Sequence, residues 1–227
     1  MKAPEIAGEI TAHYAEGQEA ERLSRGPNQL ERIRTEQILA RYLPPPPAVV
    51  LDVGGAAGIY AIPLAQRGYS VHLIDPMELH VAQAREAATR AGIPVHGKGG
   101  TDSAVQGGPE SSSDSAKSGA GSSSDSAKSG PGSLKVDVGD ARCLPAEAGT
   151  ADAVLLLGPL YHLVDPGDRV LALREACRVL KPRGIVFAAA ISRFASLIDG
   201  VASGFLTDPD FQKIVGGDLA SGRHENP

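Results

Sequence analysis

Ala48-Val-Val-Leu-Asp-Val-Gly-Gly-Ala-Ala-Gly58 decides the fold of this chain. An apolar run leads into Asp52, and Gly54, Gly55 and Gly58 are spaced through a turn of small residues. A short apolar run bounded by glycines reads as a strand buried on both faces, as in a parallel sheet. Ile59 to Arg67 reads as the helix that follows, with Gly68 ending it at the C′ position. Pro63 falls near the start of that helix, where only one backbone hydrogen bond need be lost. Strand, glycine turn and helix N-terminus together make a site for a polar, charged ligand. Amide N–H groups point outward there, and the missing side chains let a ligand reach the backbone.

The spacing narrows the ligand. A dinucleotide fingerprint needs G-x-G-x-x-G. Counting from Gly54, this chain has Ala56 and Ile59 where the second and third glycines belong, so a nicotinamide or flavin site fails at two positions. A Walker phosphate loop fails as well, because no Lys-Ser or Lys-Thr follows the glycines. The stretch does carry a carboxylate, Asp52, inside the strand. A buried acid is costly unless paired, so a cationic partner is expected, and an ammonium group on the ligand would serve.

Asp52-Val-Gly-Gly-Ala-Ala-Gly58 resembles motif I of the class I S-adenosylmethionine-dependent methyltransferases, Asp/Glu-x-Gly-x-Gly-x-Gly, with Ala56 in place of the middle glycine. The resemblance spans about residues 10–96 and 134–227. It implies a Rossmann-like, doubly wound α/β fold with a mostly parallel sheet, under a lid of N-terminal helices. It further implies S-adenosylmethionine as cofactor, bordered by Gly54, Gly55, Ala56 and Gly58, and methyl transfer to a small-molecule acceptor. The same fold also serves aminopropyl transferases. Ala56 and the missing end strands described below leave a third alternative, an adenosyl-binding module without turnover.

Composition sets the outer limits. With 227 residues, 42% of them hydrophobic, the chain is long enough for one sizeable core, and one domain is expected. A net charge of −5 without a basic run argues against a nucleic-acid partner. Two cysteines, Cys143 and Cys177, make neither a disulfide framework nor a zinc site, and no metal is expected. The N-terminus is polar, and no apolar run reaches about 18 residues. A soluble cytoplasmic protein without membrane contact follows as the expectation.

Residues 5 to 24 read as a helix, and a second runs from Asn28 to about Tyr42, with Asn28 and Glu31 spaced as a capping box. Pro44-Pro-Pro-Pro47 stops it as a stiff spacer. By the resemblance, residues 1–47 lie across the site, and Tyr14 and Arg22 cover the ligand or meet its carboxylate. Ser70-Val-His-Leu-Ile-Asp75 is the second strand. An acid about 20 residues past a glycine turn suits ribose hydroxyls, so Asp75 is expected there, with Pro76 and Met77 as an apolar edge for adenine. His72, in mid-strand, reads as structural. Met77 to Ala91 is the next helix, closed by Gly92 and Pro94.

Lys98 to Ser133 then changes character, being nearly all Gly, Ser, Asp, Ala and Lys. Ser111-Ser-Ser-Asp-Ser-Ala-Lys-Ser-Gly-Ala-Gly121 repeats as Ser122 to Gly132 with one change, Ala120 to Pro131. So little apolar surface predicts a disordered insertion. Placed between a helix and a strand, it belongs at the N-terminal edge of a parallel sheet, away from a site at the carboxyl edge. Loop closure costs only about 0.6 kcal/mol per doubling of length, so deleting residues 99 to 132 is expected to spare cofactor affinity.

Leu134 to Val138 is the third strand, leading into Gly139-Asp-Ala-Arg142. By the resemblance, Asp140 and Ala141 meet the adenine. Cys143 reads as a buried or half-buried thiol. Ala151 to Leu157 is the fourth strand and ends in Gly158-Pro-Leu-Tyr-His-Leu163. Gly158 matches motif IV by position, where backbone carbonyls hold the ligand's ammonium group. The stretch lacks Asn/Asp-Pro-Pro-Tyr/Phe and Pro-Cys, the signatures of adenine, glutamine and cytosine methylation. His162, with a free pKa of about 6.5, is the candidate catalytic base for a hydroxyl or amine acceptor.

Asp165 caps the next helix, with Pro166 at its first position. Val170, Leu173, Cys177 and Leu180 recur at helical spacing and are expected to face the sheet. Lys181-Pro-Arg-Gly184 ends that helix, and Ile185 to Ala190 is the fifth strand. The core is thus expected over 48–97 and 134–200, the insertion over 98–133, and a partial substrate cap over 201–227, with an amphipathic piece from Leu206 to Val215. The resemblance implies an antiparallel strand pair after the fifth strand, and none is visible. Either the sequence is a fragment, or a partner chain covers the bare edge by self-association.

Overall fold

The computed structural model describes residues 28–97 and 132–222. The first predicted helix, with Tyr14 and Arg22, and nearly all of the Gly/Ser-rich insertion lie outside the described residues. The chain enters by helix α1 (Asn28–Tyr42), and the apolar run Val49–Val53 becomes strand β1. Residues 54–60 turn before helix α2 (Ala61–Gln66), so the helix starts two residues later than the sequence suggests. Then come β2 (Ser70–Asp75), α3 (Glu78–Arg90), a two-residue strand β3 (Val95–His96), β4 (Ser133–Val138) and β5 (Ala151–Leu156). A single turn, α4 (Pro159–His162), leads into α5 (Pro166–Val179) and β6 (Leu180–Ala188). Helix α6 (Ala195–Ser203), a 3₁₀ turn (Phe205–Thr207) and α7 (Pro209–Ser221) follow.

The sheet order is β3-β4-β2-β1-β5-β6, and every pairing is parallel. Val49 to Val53 pair with Ser70 to Ile74 on one side, and Val50, Leu51 and Asp52 pair with Ala153, Val154 and Leu155 on the other. The strand order reverses at β1, so the carboxyl ends of β1, β2, β4 and β5 face one crevice. Alternate residues supply two cores. Val50, Leu73, Val136 and Leu155 meet Leu64 of α2 and Val81 and Ala84 of α3. Leu51, Val53, Ile74, Val154 and Leu156 meet Ala172, Ala176 and Val179 of α5.

Helix α5 corrects the expected stripe. It buries Ala172, Ala176 and Val179, whereas Val170 and Leu173 are 47% and 39% exposed and Cys177 is exposed. Both stripes have helical spacing, but small alanines let the axis approach the sheet closely. The helix also ends at Val179, and Leu180 already belongs to β6. Lys181-Pro-Arg-Gly184 therefore lies within the strand, where the register slips between Ala151 and Ala153 and Arg183 has φ of 70°. Lys181 Nζ fastens this bulge to the Asp152 carboxylate at 2.8 and 2.9 Å.

Strand β3 is also new. It pairs Val95 with Leu134 and His96 with Lys135, so the insertion leaves from a strand beside β4, not from a helix–strand loop. Gly97 is required there, because a Cβ would run into the Val136 carbonyl and its φ is 133°. Cys143 is exposed, since the turn carrying it stands at the sheet's rim. Among the described residues no strand follows β6, which forms the sheet edge. Leu206 falls in the 3₁₀ turn, ahead of α7, and Gly200 of α6 packs against Phe211 of α7. Among the described residues no helix is long and apolar enough to cross a membrane.

Candidate functional site

A cavity of about 700 Å³ opens at the carboxyl ends of β1, β2, β4 and β5, a size suited to a small-molecule site. Asp52, Gly54, Gly55, Ala56, Asp75, Pro76, Met77, Asp140, Ala141, Gly158 and His162 all line it; Gly58 does not. Gly58, with φ of 87°, instead turns the chain toward α2.

The turn after β1 is held between two walls. A Cβ on Gly55 would come within 2.8 Å of Asp52 Oδ2, and one on Gly54 within 2.8 Å of Pro159 Cγ. Ala56 takes φ of 46°, the left-handed region that a glycine enters without strain. Its methyl group does not prevent the turn, and its N–H donates to Asp75 Oδ2 at 2.9 Å.

Asp52 is 1% exposed. Its carboxylate accepts the backbone N–H of Ala61 at the start of α2, and Oδ2 has no hydrogen-bond partner among the described residues. Burial, followed by the charge of Asp75, pushes its pKa up to about 7. Asp75 is 3% exposed and already engaged. Oδ1 accepts the Met77 N–H at 2.9 Å and meets His80 Nδ1 at 3.0 Å, while Oδ2 takes Ala56. A carboxylate offers about four acceptor positions, so roughly one remains for a ligand hydroxyl. His72, by contrast, faces Asp137 Oδ2 at 2.9 Å, which Lys135 Nζ also reaches at 3.0 Å.

The β4 tip is tied by a residue the sequence did not single out. Arg142 forks onto Asp140, and the two line the cavity together. Burial alone would raise the Asp140 carboxyl, but hydrogen bonds and charge from Arg142 outweigh it and hold the group below its ordinary range. Across the cavity, the rings of Tyr161 and His162 lie 4.7 Å apart at 55°. Helix α1 contributes Glu31 and Thr35, and Thr35 hydrogen-bonds the Tyr60 hydroxyl. Among the described residues, Ile191 is the last along the chain that lines the cavity. Glu31, Thr35, Tyr60, His80 and Arg142 were not found from sequence. Only His80, in the first turn after Asp75, had a local signal. Among the described residues no group of His, Cys, Asp and Glu could hold a metal ion.

The arrangement fits an adenosyl sulfonium ligand. The orphaned oxygen of Asp52 suits an ammonium group, and the glycines leave room that a Cβ would fill. A family model described as a methyltransferase domain matches residues 26–203. A ubiquinone biosynthesis O-methyltransferase of Methylobacterium nodulans is 29% identical over 154 residues, covering 67% of this chain and 45% of that protein. Its counterpart in Caulobacter vibrioides is 27% identical, covering 74% of this chain and 52% of that one. The chain thus spans about half the length of these curated relatives. Among solved structures, a phosphoethanolamine N-methyltransferase of Haemonchus contortus, in complex with phosphoethanolamine and S-adenosylhomocysteine, superposes with a TM-score of 0.54. It is 16% identical, covering 81% of this chain and 31% of that one, and this likeness shows the fold.

Proposed function

The chain belongs to the methyltransferase-domain family, whose methyl donor is S-adenosylmethionine, and on that premise we propose that it methylates a hydroxyl or amine of a small-molecule acceptor. The observation that supports this reading is the cavity, where tips of four parallel strands meet and three of them supply an acid. When bound, S-adenosylmethionine supplies a methyl group carried on a sulfonium. Asp52, with an unpaired oxygen, would hold the ammonium group, and Gly158 would border it. Asp75 would accept one ribose hydroxyl. Pro76, Met77 and Ala141 would flank the adenine, and Asp140 would meet its amino group.

His162 would take the proton that the acceptor gives up, and the Tyr161 ring beside it limits how the imidazole can turn. The rest is positioning, which supplies most of the advantage in an in-line displacement. The names of the curated relatives favour a hydroxyl acceptor. Calorimetric titration with S-adenosylmethionine, followed by assays for S-adenosylhomocysteine with hydroxyl-bearing and amine-bearing acceptors, tests the reading. Binding with turnover supports it. Binding without turnover on any acceptor favours an inert module, and no binding overturns both.

A further inference from the structure

Just past Asp140 the chain doubles back, and the Cys143 N–H bonds the Asp140 carbonyl at 3.0 Å. This turn lays the Arg142 guanidinium over the Asp140 carboxylate. Nε reaches Oδ1 at 2.9 Å, Nη2 reaches Oδ2 at 2.6 Å, and the Arg142 backbone N–H donates to Oδ1 at 2.7 Å. The remaining nitrogen, Nη1, crosses to Asp168 Oδ2 in the first turn of α5 at 2.7 Å. The Arg142 side chain is 9% exposed, and all three residues line the cavity.

A planar fork of this kind fixes the plane of a carboxylate as well as neutralising it. Oδ1 holds two donors and Oδ2 one, so the freer acceptor is Oδ2. We infer that Arg142 is a positioning residue that aims Asp140 at the purine amino group of the cofactor, and so makes the cavity prefer a 6-amino over a 6-oxo purine. The inference rests on the reading above, in which Asp140 meets the adenine. The chemistry is direct. An ionised, fixed carboxylate can only accept, so it attracts an amino N–H and repels a carbonyl oxygen. Freed from the fork, Asp140 rotates away from the purine edge, and the fixed geometry that separates an amino N–H from an oxo group is lost. The preference then fades. Asp168 anchors the far end of the guanidinium, which keeps the fork from swinging into solvent.

The test is calorimetric titration of the whole chain with S-adenosylhomocysteine and with S-inosylhomocysteine, its 6-oxo counterpart. The unaltered protein is expected to bind the amino form about tenfold or more tightly, the worth of one charge-assisted hydrogen bond. In Arg142→Gln the ratio falls to about threefold or less, and Arg142→Lys, which keeps the charge without the fork, falls between. A purely structural role would weaken both ligands alike and leave the ratio where it was; that result in both variants overturns the inference, and Arg142→Lys alone decides if Arg142→Gln does not fold. Should the unaltered protein bind both ligands equally, the pairing of Asp140 with adenine fails and takes the inference with it. Should it bind neither, the proposed function itself falls.

Discussion

Asp52 is where chemistry and stability pull apart. Its folded pKa of about 7 lies above the ordinary 3.8, so the folded chain binds a proton that the unfolded chain releases. The contribution of Asp52 to stability is therefore largest on the acid side and is lost as pH rises from about 4 through 7, by up to about 1.4 kcal/mol per unit. Asp52→Asn should melt at a higher temperature than the parent at pH 8 and lose this slope. The same variant should bind S-adenosylmethionine about ten- to a hundredfold more weakly, the worth of a hydrogen bond to a charged group. Thermal melts and titrations at pH 6 and 8 check both halves. His162 makes the complementary case. His162→Gln should cut turnover by about a hundredfold or more while leaving cofactor affinity within about twofold, and steady-state kinetics beside calorimetry would separate the two.

Among the elements, those with a strong one-dimensional signal were legible. Val49–Val53 and Ala151–Leu156 are apolar runs broken by one aspartate each, and such runs have little choice but to be central strands. Glycine and proline placed the C-terminal end of α3 and the start of α5. The face of α5 was not legible, because two stripes share one period and only packing distance chooses between them. Nor was β3, since a two-residue strand has no period at all. At the site, the acids at the strand tips could be read off the chain, but the grip of Arg142 on Asp140 depends on a side chain folding back. Strand β3 makes a prediction of its own. Gly97 is level with Val136 while β4 starts at Ser133, so the chain must travel back about 10 Å. Joining residue 98 directly to Ser133 should unpair β3, whereas a spacer of about a dozen Gly/Ser residues should keep it. Hydrogen exchange at Leu134 to Val136 reports which occurs, and S-adenosylmethionine affinity is expected to stay unchanged with the spacer.

For the molecule as a whole, the parallel sheet ends in β6, which among the described residues has β5 as its one neighbour. Beyond it Ile191, Ile198 and Val201 are 63%, 65% and 66% exposed. Open edges and apolar surface favour association. Light scattering over a range of concentrations should find the mass rising with concentration, and Ile198→Glu should reduce that rise. A monomer at every concentration would count against it.

Asp75 carries a kinetic consequence. A carboxylate gripped by Ala56, Met77 and His80 is in order whether or not a sugar is present. Departure of a spent nucleoside would then leave this carboxylate in place. A fresh one would bind without first waiting for this carboxylate to order.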